Sequence, residues 1–281
     1  MASDLDTLPV RAVPRDGPIG ETVFSICTLA TRSDEYAGMV ESFLDAGFDR
    51  QRTEYLFGDN RAGNAFDGFS GLTRLIAAAK GRYVLLVHQD VRAGPDDADT
   101  LLDRLSELEG IAPDWAVAGN AGRAGESYHL HITDPLGADR RLGSLPAVVE
   151  SLDENFLVVR RETLVAPSRD LAGFHLYGLD LAENARSRGY AACAIDFHVV
   201  HDSLGRIDPS YIDAIDSFER KKAREMQPRA VHTLILPVVL SASRLSRLRW
   251  ARLLHTRRRD LARLLRENAA RSGDNEKRGD H

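Results

Sequence analysis

The sequence predicts an α/β fold, a mostly parallel sheet flanked by helices and followed by a basic helical extension. Three observations predict it. Short β-branched and apolar runs alternate with stretches of helical period over residues 22–201, the pattern of parallel strands joined by crossover helices. The apolar fraction, 43% of 281 residues, is enough for a buried core. The charge is divided: residues 1–216 carry 20 Lys and Arg against 35 Asp and Glu, and residues 217–281 carry 17 against 7. An acidic body thus precedes a basic tail.

Residues 1–20 hold Pro9, Pro14 and Pro18 among glycines, without periodicity, and read as a flexible arm. The α/β domain is expected over residues 21–210. Its first strand is TVFSICTLA, Thr22–Ala30. A helix follows, with Ser33 at its start, Tyr36, Met39, Val40, Phe43 and Leu44 at helical spacing, and Gly47 as a stop. EYLFGDN is the second strand, FSGLTRLIAAAKG the second helix and RYVLLVHQDV the third strand. Leu101, Leu102, Leu105 and Leu108 form the inward stripe of another helix. DWAVAGNAG is a strand running into a turn, and residues 122–147 are a loop-rich excursion with room for a hairpin. NFLVVRRE is a strand, LDLAENARSRG a helix ended by Gly189, and YAACAIDFHVVH one final strand. Residues 211–226 are helical. Residues 241–268 place Leu245, Leu248, Leu253, Leu254, Leu261 and Leu264 among nine arginines, a basic amphipathic helix or helix pair, and residues 269–281 read as a disordered tail.

Several classes fall away. Cys27 and Cys193 stand far apart among apolar neighbours, which points to buried thiols and not to a zinc site or a disulfide framework. The first residues lack the apolar core of a signal peptide, and no apolar run approaches the ~20 residues that cross a bilayer. The expectation is a soluble, cytoplasmic protein.

The stretch YVLLVHQD, Tyr83–Asp90, raises the functional question. Four apolar residues suit a buried strand, and His88, Gln89 and Asp90 follow where it leaves the sheet. In parallel α/β sheets ligands gather at that rim. Alternation along a strand lets His88 and Asp90 converge on one cation. Oxygen and imidazole ligands suit Mn or Mg, and a diphosphate supplies the anionic company such an ion needs. An acid at a strand end can equally do no more than cap a turn. His129 and His131 fall in a loop, as solvated residues or substrate contacts, and His198 reads as structural.

Four stretches in order, FSICTLATR, GLTRLIAAAKGRYVLLVHQDV, SLDENFLVVRRETL and GFHLYGLDLAENARSRGYAACAIDFHVVHDSLG, resemble family-2 glycosyltransferases of the GT-A fold. The resemblance spans roughly residues 22–206 and is greatest to the streptomycin-biosynthesis-type branch, whose strand-end motif reads His-Gln-Asp-Val. It implies a Rossmann-like nucleotide-sugar transferase that uses Mn or Mg and a nucleotide-diphosphate sugar donor. Asp90 would hold the metal and diphosphate, with His88 and Gln89 beside it and His201 completing the metal site. Thr28, Ala30 and Arg32 would pass the nucleoside, Asp59 would face the base, and Asp180 would be the general base. The chain departs from the family pattern in two places. Tyr177 and Gly178 stand where a Glu-Asp pair is usual, and Thr73 stands for an Asn of the donor site. Asp153 and Glu154 form a second acidic pair, suited to the base role or to acceptor contact.

The implied reaction is sugar transfer to an acceptor hydroxyl, with inversion, the acceptor being a sugar, a lipid-linked sugar or a small molecule. Two further readings stay open, a sugar-phosphate nucleotidyltransferase and a degenerate domain that binds without turnover. The first expects a Gly-rich basic phosphate loop after strand one, and CTLATRSDEYAG offers little of that. The Arg-rich tail has three readings: packing on its own core or on a sister subunit in a homo-oligomer, contact with the inner membrane face, or nucleic acid. The last is disfavoured, because the body is acidic and carries no nucleic-acid motif.

Overall fold

The computed structural model describes residues 22–203, 209–232, 237–240, 248 and 250–278. The arm expected over residues 1–20 lies outside the described residues. The chain forms two compact units, Met1–Ile215 and Asp216–His281.

The first unit opens with the expected alternation: β1 (Phe24–Ala30), α1 (Ser33–Asp45), β2 (Thr53–Asp59), α2 (Ser70–Ala78) and β3 (Tyr83–Val87). Next come β4 (Val91–Ala93), α3 (Ala98–Ile111), β5 (Trp115–Gly119), β6 (Ala121–Ala124), β7 (Ser127–Thr133) and β8 (Asp139–Leu142). They are followed by β9 (Ala147–Val148), β10 (Ser151–Leu152), β11 (Phe156–Arg160), α4 (Tyr177–Ser187), β12 (Ala191–Ala194) and β13 (Val199–His201). Asp97 caps α3 by accepting the Thr100 amide at 2.8 Å. At α1 Ser33 is the first helical residue and Arg32 holds the cap position, without a side-chain cap.

A seven-stranded sheet runs β2-β1-β3-β11-β5-β12-β9. The pairs β1–β2, β1–β3 and β5–β12 are parallel, whereas β11 lies antiparallel to both β3 and β5. The α/β class is as expected: β2, β1, β3, β5 and β12 run in one direction, and β11 and the short edge strand β9 run against them. Phe156 to Val159 are wholly buried between β3 and β5, and a fully buried apolar run carries no mark of its direction.

A second sheet of six strands runs β10-β6-β7-β13-β4, with β8 paired to β7. It takes up the excursion after residue 122. It also divides the final strand: β12 belongs to the first sheet and β13 to the second. In the crossing segment Ile195 and Phe197 are buried. The Asp196 carbonyl accepts from Arg104 Nε at 3.0 Å, and the His198 amide donates to Asp96 Oδ2 at 2.7 Å.

The core joins Phe24 and Ile26 of β1 and Leu85 and Val87 of β3 to Met39 and Phe43 of α1 and Leu101 and Leu105 of α3. Strand alternation turns Cys27, Leu29 and Leu86 to the opposite face, where a cavity opens.

α5 spans Pro209–Glu225, close to the helix expected at 211–226. In the second unit β14 (Arg229–His232) and β15 (Pro237–Leu240) form an antiparallel hairpin, and α6 spans Ala251–Arg278. The basic helix therefore continues past residue 268 into the stretch read as a tail. Residues 241–247, where that helix was expected to begin, and 279–281 lie outside the described residues. Among the described residues no helix is long and apolar enough to cross a membrane.

Candidate active site

The cavity has a volume of about 790 Å³, within the usual range of small-ligand sites. It lies at the carboxyl ends of β1 and β3. His88, Gln89, Asp90, Asp153, Glu154 and His201 all line it.

Asp90 sits between two histidines. Its Oδ1 is 3.5 Å from His201 Nε2 and 4.0 Å from His88 Nδ1. Its Oδ2 accepts from the Ser203 hydroxyl at 2.5 Å. The candidate ligand atoms of His88, Asp90 and His201 all lie within 4.8 Å of one another, close enough to surround one ion. Burial acts to raise the Asp90 carboxyl, but hydrogen bonds from His201 and Ser203 overcome it and hold the group well below the usual carboxylate range. Burial lowers His201, and its hydrogen bond to Asp90 reverses that and raises it.

The tautomer of His88 follows from its neighbours. Its Nε2 lies 2.7 Å from the Tyr177 hydroxyl, which donates to the Glu154 carbonyl at 3.1 Å. With that proton spent, the Tyr177 oxygen accepts from Nε2–H. Nδ1 then carries the lone pair on the Asp90 side, the form that ligates a cation. Burial, chiefly, lowers the basicity of His88 and keeps it neutral.

Glu154 is the unusual acid. Its Oε1 accepts the Gly178 amide at 3.3 Å. Burial and the neighbouring charge of Asp153 raise its carboxyl from 4.5 to about 7. Gly178 makes this approach possible, because a Cβ there would stand 2.3 Å from the Leu152 carbonyl oxygen and 3.5 Å from Glu154 Cγ. Asp153 Oδ1 accepts the Asn155 amide at 3.0 Å, which fixes the turn between β10 and β11.

No protein-family model matches the chain. Over 239 residues it is 37% identical to the protein named "ATP synthase subunits region ORF 6" of Fuscovulum blasticum, covering 83% of this chain and 96% of that one. The chain belongs to the family of that ORF 6 protein. The family's name records a gene region and states no activity. Similar solved structures include the mannosyltransferase PcManGT from Pyrobaculum calidifontis in complex with GDP-Man and Mn2+ (14% identity, 72% of this chain, 64% of that chain, TM-score 0.48). Others are S. aureus TarS 1-349 with UDP-GlcNAc (10%, 73% and 66%, TM-score 0.41) and A197 from STIV (12%, 66% and 87%, TM-score 0.40). This chain spans about two thirds of the PcManGT and TarS chains.

In this ORF 6 family member several residues expected at the site lie elsewhere. Thr28 and Ala30 are buried on the far side of β1, and Cys27, Leu29 and Thr31 line the cavity instead. The error is one of strand parity. Arg32 turns to α1, where it pairs with Glu35 at 2.7 Å. Asp59 is bound by its own neighbour Arg61 at 2.7 Å, and Asn60 is the residue that reaches the cavity. The Thr73 hydroxyl donates to the Pro167 carbonyl at 3.2 Å, while Leu72 lines the cavity.

Gln89 is at the rim, but its amide is engaged. Oε1 accepts from the Thr31 and Arg32 amides at 2.8 and 3.0 Å, and Nε2 donates to the Thr31 hydroxyl at 2.7 Å. It clamps the end of β3 to the end of β1. Asp180 is fully buried and outside the cavity lining. Its oxygens accept from the Ser168 amide at 2.6 Å, the Ser168 hydroxyl at 2.8 Å and Asn184 at 3.1 Å. It braces α4 against the 166–168 segment and has no path to an acceptor, so the base role expected of it fails on access. Tyr177, read from the sequence only as a departure from the usual acidic pair, and His175, which was not singled out, both line the cavity. Their position at the start of α4 was the available signal.

Proposed function

We propose that the chain is a metal-dependent glycosyltransferase, taking a sugar from a nucleotide-diphosphate donor to an acceptor hydroxyl. The observation that carries the reading is the pairing, in one cavity, of an ionised Asp90 between two histidines with a half-buried Glu154 whose carboxyl is raised to about 7. The motif resemblance over residues 22–206 supports it independently.

His88 Nδ1, Asp90 and His201 Nε2 fit a Mn or Mg ion, and such an ion supplies positive charge to a departing diphosphate. Asp90 stays ionised under any physiological condition. Glu154 accepts the proton of the acceptor hydroxyl as that oxygen bonds to the anomeric carbon and the bond to the diphosphate breaks. A base on the face opposite the leaving group gives inversion. Asp153, beside Glu154, raises its basicity by charge and stands at the acceptor end. Tyr177 holds His88 in its ligating tautomer.

The degenerate reading draws on Tyr177 and Gly178, which replace the usual acidic pair. Glu154 answers it, since its side chain occupies the space beside position 178. For the tail, we favour packing or peripheral contact with anionic lipid over nucleic acid, and flotation with and without residues 241–281 separates these.

The deciding experiment presents a panel of nucleotide-diphosphate sugars with Mn2+ and follows release of the nucleoside diphosphate. Turnover that needs Mn2+ and vanishes in Asp90→Ala and Glu154→Gln is expected. Turnover unchanged in both variants, or none with any donor, overturns the reading.

A further inference from the structure

A second cluster of ligand-type side chains lies outside the cavity lining, on the second sheet. His131 of β7, Asp139 of β8 and His198, just before β13, bring three ligand atoms within 4.8 Å of one another. Strand register explains why. Asp139 pairs with Thr133, and Ile132 pairs with Val199. His131, two residues before Thr133, therefore shares its face, and His198 stands beside His131. The two imidazoles stack, with centroids 4.2 Å apart and planes at 16°.

The ring nitrogens are aimed. His131 Nδ1 lies 2.8 Å from Asp196 Oδ1, and the other Asp196 oxygen pairs with Arg141. A carboxylate on Nδ1 takes the proton there and leaves Nε2 as a lone-pair donor, the arrangement seen behind metal-ligating histidines. That Nε2 is 3.4 Å from Asp139 Oδ1, and His198 Nε2 is 3.8 Å from the same oxygen. Bonds of about 2.0–2.2 Å in a tetrahedron set ligand atoms about 3.3 Å apart. Both nitrogen–oxygen edges are therefore within about half an ångström of that spacing, and closure turns the His198 ring out of its stack on His131. The Thr133 hydroxyl hydrogen-bonds His198 Nε2 at 2.7 Å, and an ion would take its place on that nitrogen.

We propose that His131, Asp139 and His198 form a second divalent-cation site, of the kind taken by Zn2+. Two imidazoles and one carboxylate, with no diphosphate to add the hard oxygens that the cavity site would share, suit a borderline transition ion. The ion ties the exposed strand β8 to β7 and to the segment that crosses between the two sheets. The site is independent of the donor reading, because it shares no residue with the cavity cluster.

The test uses the full chain carrying Asp90→Ala, so that the cavity cluster does not compete, titrated with Co2+ alone and followed by its visible d–d bands. One equivalent with a tetrahedral spectrum is expected. Asp139 is an exposed residue on an edge strand, with 63% of its side chain accessible, so Asp139→Ala should fold normally by circular dichroism and lose the spectrum. Asp196→Asn should weaken binding about tenfold to a hundredfold while leaving the three ligands in place. No Co2+ bound to the Asp90→Ala protein, or an unchanged spectrum and affinity in the folded Asp139→Ala variant, overturns the proposal.

Discussion

Glu154 occupies the space beside Gly178: its Cγ lies 3.5 Å from where a Cβ on that glycine would stand, and its Oε1 accepts the glycine's amide at 3.3 Å. In the proposed transfer, Glu154 supplies the base from the β10–β11 turn. Glu154→Gln should therefore lower kcat about a hundredfold to ten-thousandfold, the usual weight of a general base, while donor affinity stays unchanged. Equal loss in kcat and in donor binding would point to a structural role instead.

Gly178→Ala is expected to be harmful without touching chemistry directly. Its Cβ would meet the Leu152 carbonyl at 2.3 Å, backbone that cannot step aside. A loss of about 1–3 kcal/mol in urea unfolding is expected, as for other overpacked sites.

The pH dependence of stability has a definite sign. Burial and Asp153 raise the Glu154 carboxyl from 4.5 to about 7. Across that window the native state holds a proton that the unfolded chain has released, so this residue's contribution falls as pH rises. Urea midpoints compared at pH 5 and about pH 8 should show Glu154→Gln relatively more stable than wild type at the higher pH. Transfer activity should run the other way, rising through about 7 as the base ionises.

Asp90 and Asp180 separate by experiment. With the second cluster removed by Asp139→Ala, Mn2+ should still raise the melting temperature, and adding Asp90→Ala should abolish that rise. Asp180→Asn should cost about 1–3 kcal/mol, since it sets an amide against the Ser168 donors, yet keep its kcat once folded. A selective loss of kcat in Asp180→Asn would restore the base role to that residue.

Much of the architecture was legible because apolar runs and helical stripes report burial. The run ending at His88, Gln89 and Asp90 marked the cavity rim. Direction and parity were not legible. β11 carries no sign of running backward, and Thr28 and Ala30 differ from Cys27 and Leu29 only by which side of the strand they face. Asp180 misled because an acid in a first helical turn reads as exposed, and its partner Ser168 belongs to a segment with no periodic signal. Glu154 owes its raised carboxyl to burial and to Asp153, against the pull of the Gly178 amide 24 residues away, and no local pattern records that burial.

The brevity of β13 has an evolutionary corollary. Only Val199 and Val200 separate His198 of one cluster from His201 of the other. Inserting or deleting a single codon here would invert the strand's facing and misplace His198 and His201 together. Lineages descended from this ancestor should therefore vary freely in length at the 134–138 turn, while the spacing between these two histidines stays constant.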